Sequence, residues 1–522
     1  MEWFTSLGVI LLTSIFLIWL WLRNKFNYWE KRGMVTPKYS IPWGSMREVV
    51  FQKKAMADVV SEIYRFFKSQ NLKDGGIYFM FFPNYVTIDI NIVKSVIQTD
   101  FQHFVDRGMY YDEKNDPLSA HLFSLAGKKW KLLRNKLSPT FTSGKMKMMF
   151  ETLVDCTRGL HKVMDKETGT SLDIKDILSR FTTDAIGSCA FGLDCNSLEN
   201  PKSEFREKGK RIFVRTFWEN LKLSLIYSLP ELAKRLKLKQ IPEDVNDFFM
   251  NIVKDTVAYR EKNNIHRKDF MHLLIQLKNC GKLVDDEKIV LENITEDENR
   301  ITLDEIAAQA FIFFEAGFET SSATMAFCLF ELAKDKNIQN KVREEIKRVL
   351  SKYDNVLTYD AAMEMHYLEQ TINETLRKYP PLPNLSRTCT KDYKVPESGF
   401  VLEKGCRVLI PVMGIHYDPE FYPDPEKFDP DRFSDENKAS RPSVTFLPFG
   451  EGPRICIGLR FGMMQTKVGL VALLSNYEFS LNEKTTDPLE FDPQSFMLLA
   501  KGGIWLDFKK LSSKTVSLIA NK

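Results

Sequence analysis

The sequence predicts a mainly α-helical chain with a minor β domain and a single N-terminal membrane anchor. Residues 302–336 hold the longest helical pattern, apolar nearly all round. At ~1.5 Å per residue that pattern spans roughly 50 Å and must cross the interior. Further helical patterns cover 55–68, 127–137, 368–378 and 459–474, while strand-like runs are short, at 77–82, 85–88 and 407–413. Residues 3–22 are uncharged and rich in Leu, Ile, Phe and Trp, long enough to span a bilayer's hydrocarbon core.

At the N-terminus, Glu2 precedes the apolar run, and Arg23, Lys25, Lys31 and Arg32 follow it, which puts the C-terminal side in the cytosol. No basic residue precedes the run and no small-residue cleavage site follows, so the reading is a retained signal anchor rather than a cleaved signal peptide. The expected division is an anchor at 1–22, a hinge at 23–45 with Gly33, Pro37, Pro42 and Gly44, and a globular domain at 46–522. Glycosylation sequons at Asn293, Asn373 and Asn384 then face the wrong compartment.

With 522 residues, 44% of them hydrophobic, the chain can bury a large core. Its formal charge of +4, from 73 basic and 69 acidic side chains, gives no global pull toward nucleic acid. The eight cysteines show no CxxC pair, as expected of reduced thiols facing the cytosol.

Pro83-Asn84 separates the first two strand-like runs as an expected hairpin turn. Residues 104–123 mix aromatics with Gly and Pro, an irregular loop. Trp130 and Arg134 are spaced i,i+4 on one helix face, where an indole N–H and a guanidinium suit two carboxylates. Lys128, Lys129, Lys131, Lys136, Lys145 and Lys147 make the same segment cationic. Residues 213–239 combine apolar and basic side chains, fitting either a membrane-dipping surface or core helices with a basic outer face. Residues 284–300 read as an exposed acidic connection.

The central helix carries Ala316-Gly317-Phe318-Glu319-Thr320 at its middle. Glycine and hydroxyls inside a buried helix cost stability, and a buried carboxylate needs partners or water. The stretch is either a kink with satisfied hydroxyls or a proton-delivery site. Glu374 and Arg377, spaced i,i+3, precede a helix stop at Pro380-Pro381. Near the end of the chain, 448–458 is a Gly- and Pro-rich loop holding Cys456 just before a helix N-terminus. That position favours a thiolate, a ligand for a soft or borderline metal, although a lone cysteine in a turn can equally be a buried structural one.

Phe449, Gly452, Arg454, Cys456 and Gly458 together resemble the haem-binding loop of the cytochrome P450 superfamily. Ala316-Gly317-x-Glu319-Thr320 resembles its oxygen-binding motif, and Trp130-x-x-x-Arg134 its propionate-binding pair. Glu374-x-x-Arg377 resembles its buried pair, with Arg432 of Pro430-Asp431-Arg432-Phe433 as third partner and Asp431 where the family often has Glu. The stretches 104–108, 116–123 and 137–147 are similar to insect microsomal members of family 6.

The resemblance implies the superfamily's mainly α fold, with haem b between the central helix and the Cys456 loop. Cys456 is then the axial iron ligand with Phe449 beside it, and Gly452 and Gly458 let backbone N–H groups approach the sulfur. Trp130, Arg134, Arg387 and Arg454 hold the propionates, with Arg107 a further candidate. Thr320 holds dioxygen and its water, and Glu319 relays protons. The implied activity is that of a haem-thiolate monooxygenase using O₂ and NADPH-derived electrons. NADPH–cytochrome P450 reductase delivers them, with cytochrome b5 as a further donor, docking near the lysine-rich segment. The resemblance also implies a place in the endoplasmic reticulum membrane, with the catalytic domain on the cytosolic face. Its substrate is a lipophilic small molecule contacted by walls at 110–123, 213–227, 311–316, 382–385 and 495–498. Foreign compounds such as plant toxins or insecticides fit, as do endogenous hormones and lipids. Two other readings stay open: a reductase-independent isomerase or dehydratase on the same fold, and a non-enzymatic membrane haem carrier or sensor.

Overall fold

The central helix of this computed structural model runs Leu303–Lys334, with Thr302 and Glu305 forming a reciprocal capping box at its start. The structure describes residues 2–213, 215–281, 300–396 and 398–511. The acidic connection, with Asn293, therefore lies outside the described residues except at Arg300. Helix Ile174–Ile186 packs along one flank of the central helix, where Thr182 Oγ1 donates to Phe318 O at 2.9 Å. Phe311, Phe314 and Phe318 are buried, with Phe314 meeting the Phe205 and Phe249 rings at 4.9 and 5.2 Å. Helices Gly127–Leu137, His366–Lys378 and Leu459–Leu474 form where the periodicity places them.

The β part is small. A four-stranded sheet runs in the order Asp74–Phe79, Phe82–Thr87, Arg407–Ile410, Leu385–Thr388. The first and last pairs are antiparallel, and the middle pair is parallel. The hairpin turn is not at Pro83-Asn84. Phe79 pairs with Phe82, so Met80 and Phe81 make the turn, and Met80 adopts a φ of 50°. Pro83 lies inside the strand opposite Tyr78, just before the parallel ladder begins at Asn84, so its missing N–H costs that ladder nothing. Residues 495–498 lie in a turn between the Phe491 and Ala500 bridge partners, pinned by Leu498 N donating to Pro381 O at 3.0 Å.

The first helix, Glu2–Phe26, is solvent-facing over its apolar length and outlasts the anchor expected at 1–22 by one turn. The following segment lies on the sheet. Trp29 is fully buried and donates from Nε1 to Ile77 O at 3.0 Å, and Trp21 meets the Phe81 ring at 5.3 Å. A Cβ at Gly76 would come within 2.3 Å of the Trp29 indole, so only glycine leaves room for that side chain. Residues 213–239 form helices Phe217–Ser228 and Pro230–Arg235. They bury Leu223, Ile226 and Ala233 while exposing Trp218, Leu225, Leu232 and Leu236, so their outer face is apolar as well as basic. All eight cysteines are free thiols.

Candidate active site

A cavity of about 280 Å³ separates the central helix from the Cys456 loop. Ile312, Ala316 and Thr320 line it from the helix, Leu382, Leu385 and Arg387 from the strand side, and Phe449 and Cys456 from the loop.

The loop is folded on its own backbone. Cys456 N donates to Phe449 O at 2.9 Å, and a 3-10 turn covers Gly452–Arg454. Gly452 has a φ of 74°, and a Cβ there would sit 1.9 Å from Ile97 O. Its glycine is therefore demanded by close packing on the segment Ser95–Thr99 rather than by approach to the sulfur, which corrects the expectation for that residue. Gly458 does serve the sulfur, since its backbone N–H bonds Cys456. Burial pushes the Cys456 thiol above its ordinary value, against the opposing pull of Gly458 N–H, Arg107 and Arg134. A metal cation bound to the sulfur reverses that balance.

Cations crowd the rim. Arg107, Arg134, Arg387, Arg454 and Trp130 all line this cavity. The Arg454 guanidinium lies 4.2 Å from the Trp130 ring and donates to Leu125 O at 2.6 Å. Arg107 donates to Phe123 O at 3.2 Å and Arg454 O at 3.1 Å. Burial lowers Arg387 to about 10. Burial, with repulsion from Arg387, lowers Arg454 to about 9. Arg107 is held well below its ordinary range by burial and by repulsion from Arg387 and Arg454. Nε of Arg387 and of Arg454 are buried without a partner, and Asp106, 3.9 Å from Arg454, is the one carboxylate in ion-pair range among the described residues. Buried guanidinium groups in such excess call for anionic partners. A porphyrin bearing two propionates supplies two carboxylates, so the residues present fit haem.

Opposite the loop, Thr320 Oγ1 donates to Ala316 O one turn earlier, which leaves its lone pairs to the cavity. Glu319 does not line the cavity. Its Oε1 accepts from Lys175 Nζ at 2.7 Å, with both side chains largely buried, and the same Nζ reaches Ser179 Oγ at 2.8 Å.

Behind the loop, Glu374 and Arg377 have no solvent exposure and share two hydrogen bonds of 2.8 and 2.9 Å. Arg432 Nε reaches Glu374 at 3.4 Å, and Arg377 also donates to His416 O and Pro425 O, at 2.9 and 2.8 Å. His416 continues the chain of bonds, with Nδ1 3.0 Å from Arg377 O and Nε2 accepting from Leu447 N at 2.9 Å. The network thus ends at the first residue of the loop's approach.

Of the site residues named from the sequence, Trp130, Arg134, Thr320, Arg387, Phe449, Arg454 and Cys456 line the cavity and Glu374, Arg377 and Arg432 form the network behind the loop, whereas Glu319 is paired with Lys175 outside the lining. Lys175 and His416 are additions with no local signal.

This fold, with a cysteine and a hydroxyl-bearing helix facing one another across a cation-rimmed cavity, is that of a haem-thiolate oxidoreductase. The family model described as "Cytochrome P450" matches residues 22–506. The chain is 46% identical over 511 residues to "Probable cytochrome P450 6a23" of Drosophila melanogaster, covering 97% of this chain and 98% of that one. It is 42% identical to "Cytochrome P450 6a2" of the same fly, covering 97% and 100%, and 42% identical to "Cytochrome P450 6A1" of Musca domestica, covering 98% of each. The chain belongs to the cytochrome P450 family, and its relatives here carry family 6 names. It is a monooxygenase whose family cofactor is haem.

Proposed function

We propose that the protein oxidises lipophilic foreign compounds, plant toxins or insecticides among them, with electrons passed from NADPH by a flavoprotein reductase. The observation that carries this is the cavity itself: a thiol and guanidinium groups in excess of carboxylates on one side, Phe and Leu side chains with Thr320 on the other. Haem bound there supplies reductive activation of dioxygen and transfer of one oxygen atom to a C–H or double bond. Cys456 would ligate its iron through the sulfur, and Trp130, Arg134, Arg387, Arg454 and Arg107 would hold its carboxylates. Phe449 shields the sulfur from water. Thr320 Oγ1, its proton committed to Ala316 O, accepts a hydrogen bond from a water and holds it for proton transfer. Glu319 supplies protons by leaving Lys175 and turning toward that water. Glu374, Arg377 and Arg432 keep the loop in place.

The reductase, with cytochrome b5 as an alternative donor, docks where Lys128 and Lys131 stand exposed; Lys129 and Lys147 of the same face are engaged by Glu113 and Asp360. The first helix anchors the protein in the endoplasmic reticulum membrane with this face in the cytosol. The test is a reduced CO-difference spectrum, followed by product mass spectrometry in membranes containing reductase and NADPH. A thiolate-type Soret band and oxygenated products are expected. Turnover of hydroperoxides alone would overturn the reading in favour of an isomerase or dehydratase.

A further inference from the structure

The described residues enclose a second cavity, of about 370 Å³, that shares no lining residue with the first. We propose that it binds a small aliphatic diamine and that the turn Gly187–Phe191 carries its occupancy to the active site. The cavity lies between helix Ser143–Lys166, the end of helix Ile174–Ile186 and the loop that follows. That loop is folded back on its own helix. Asp184 accepts from Ser197 N at 2.6 Å and Leu198 N at 3.0 Å, and Leu193 N donates to Gly187 O at 3.1 Å. A Cβ at Gly187 would stand 2.2 Å from Cys195 Sγ, so glycine is what lets the loop lie this close.

Asp155, Asp184, Asp194 and Glu199 line the cavity against one cation, Arg267. Arg267 is engaged elsewhere, with Nη1 donating to Gly192 O at 2.7 Å and Nε 3.4 Å from Asp269. Asp155 pairs with Arg158 at 2.5 Å, and Glu199 with Lys162 at 3.4 Å. Among the described residues Asp184 has no cation in ion-pair range, and Asp194 has neither a hydrogen bond nor an ion pair. Ser188 points to an occupant independently of charge. It is 8% exposed and lines the cavity, yet no described residue bonds its hydroxyl. A buried helical hydroxyl usually bonds a carbonyl one turn back, as Thr183 does with Ser179 O at 2.7 Å. Ser188 instead keeps its lone pairs and its proton for whatever enters.

The chemistry of the wall selects the class. Burial, then the charges of Asp184, Asp155 and Asp194, push the Cys156 thiol up to about 12, so it stays neutral and is a poor metal ligand. Among the described residues no three His, Cys, Asp or Glu side chains stand close enough to hold a metal ion. Two ammonium groups on a short methylene chain suit the space better. Asp184 and Asp194 take one each, Ser188 Oγ accepts a further N–H, and Leu198 with the Cys156 and Cys195 thiols covers the methylenes. The chain as a whole carries a net charge of +4, so retention of a dication must be local. Gly187–Phe191 is a π-helical turn with Ser188 on the second cavity and Cys189 and Ala190 on the first. An occupant bonded to Ser188 fixes that turn, and the active-site wall is fixed with it.

The test is titration calorimetry of the full-length, haem-loaded protein with 1,4-diaminobutane, butylamine, 1,4-butanediol and magnesium chloride. The diamine is expected to bind tightest, with butylamine about tenfold weaker and the diol weaker still. Asp194 bonds no described residue, so Asp194→Asn removes a charge without removing a structural contact, and it should weaken the diamine about tenfold. Ser188→Ala should weaken it about threefold. Glu436→Gln, at an exposed acid outside the cavity, should leave it unchanged. The diamine should also shift the Soret band of the wild type, and shift it less in Ser188→Ala. Magnesium binding as tightly as the diamine overturns the site, as does an unchanged affinity in Asp194→Asn. A bound diamine that leaves the Soret band in place overturns the role of the turn.

Discussion

Lys175 Nζ lies 2.7 Å from Glu319 Oε1, although the two residues belong to different helices and stand far apart in the chain. The bond turns the one acid beside Thr320 away from the cavity. Proton supply through Glu319 thus requires an ion pair to open in each cycle. Glu319→Gln is expected to lower turnover by about 10²-fold, the scale of a lost general acid. NADPH consumption should fall less than product formation. Equal losses in both would place Glu319 outside proton supply.

Cys456→His keeps a metal-ligating side chain at the loop but removes the sulfur. The variant is expected to bind haem and lose the thiolate-type CO band together with monooxygenase activity. Survival of that band would remove Cys456 from the iron.

Glu374 and Arg377 are paired with no exposure, so cutting one partner leaves a buried charge. Arg377→Ala should cost roughly 3–5 kcal/mol, read as a lower urea midpoint and haem loss. Arg432 touches the same carboxylate at 3.4 Å from a side chain with some exposure, and Arg432→Ala is expected to cost less.

Gly452→Ala places a methyl group against Ile97 O in a left-handed backbone conformation. The conformation alone costs about 1–2 kcal/mol, and the clash with a backbone oxygen adds to it. A lower thermal midpoint and a shifted haem spectrum are expected, whereas Gly458→Ala, with open space at its Cβ, should be milder.

His416 is held neutral, its imidazole lowered to about 3, chiefly by burial. Its folded value lies below the unfolded one. The stability it carries is complete above about pH 6.5 and declines as pH falls from there toward 3. Between pH 6.5 and 5 the loss is about 2 kcal/mol. Protonating Nε2 also sets a donor against Leu447 N–H, so the loss reaches the Cys456 loop. Retention of the thiolate-type CO band should fall over that range. His121, likewise lowered to about 3 by burial and by Arg107, adds a decline of the same sign. His416→Gln is therefore expected to flatten the profile in part, and an unchanged profile would assign the acid sensitivity elsewhere.

What the sequence made legible was local. The Gly127–Leu137 and Leu459–Leu474 helices match their expected bounds, because apolar periodicity and flanking glycine or serine mark them. The Cys456 loop was readable because its glycines and prolines exclude a helix. The hairpin turn was misplaced because Pro-Asn is a turn signal by composition, while the positive φ at Met80 is imposed by strand register. Contacts between remote segments had no signature at all. Nothing in residues 174–180 marks Lys175 as the partner of Glu319.

Trp29, bonded to Ile77 O beneath the sheet, has a mechanical consequence. With the first helix in a bilayer, the indole acts as a rivet, and the domain cannot swivel on its tether as on a slack chain. Its tilt relative to the membrane plane is then inherited from the helix. An encounter with a membrane-bound electron donor becomes a search in two dimensions with the azimuth as its main freedom. Loosening the rivet, as Trp29→Ala would, should slow electron delivery while leaving the haem pocket intact.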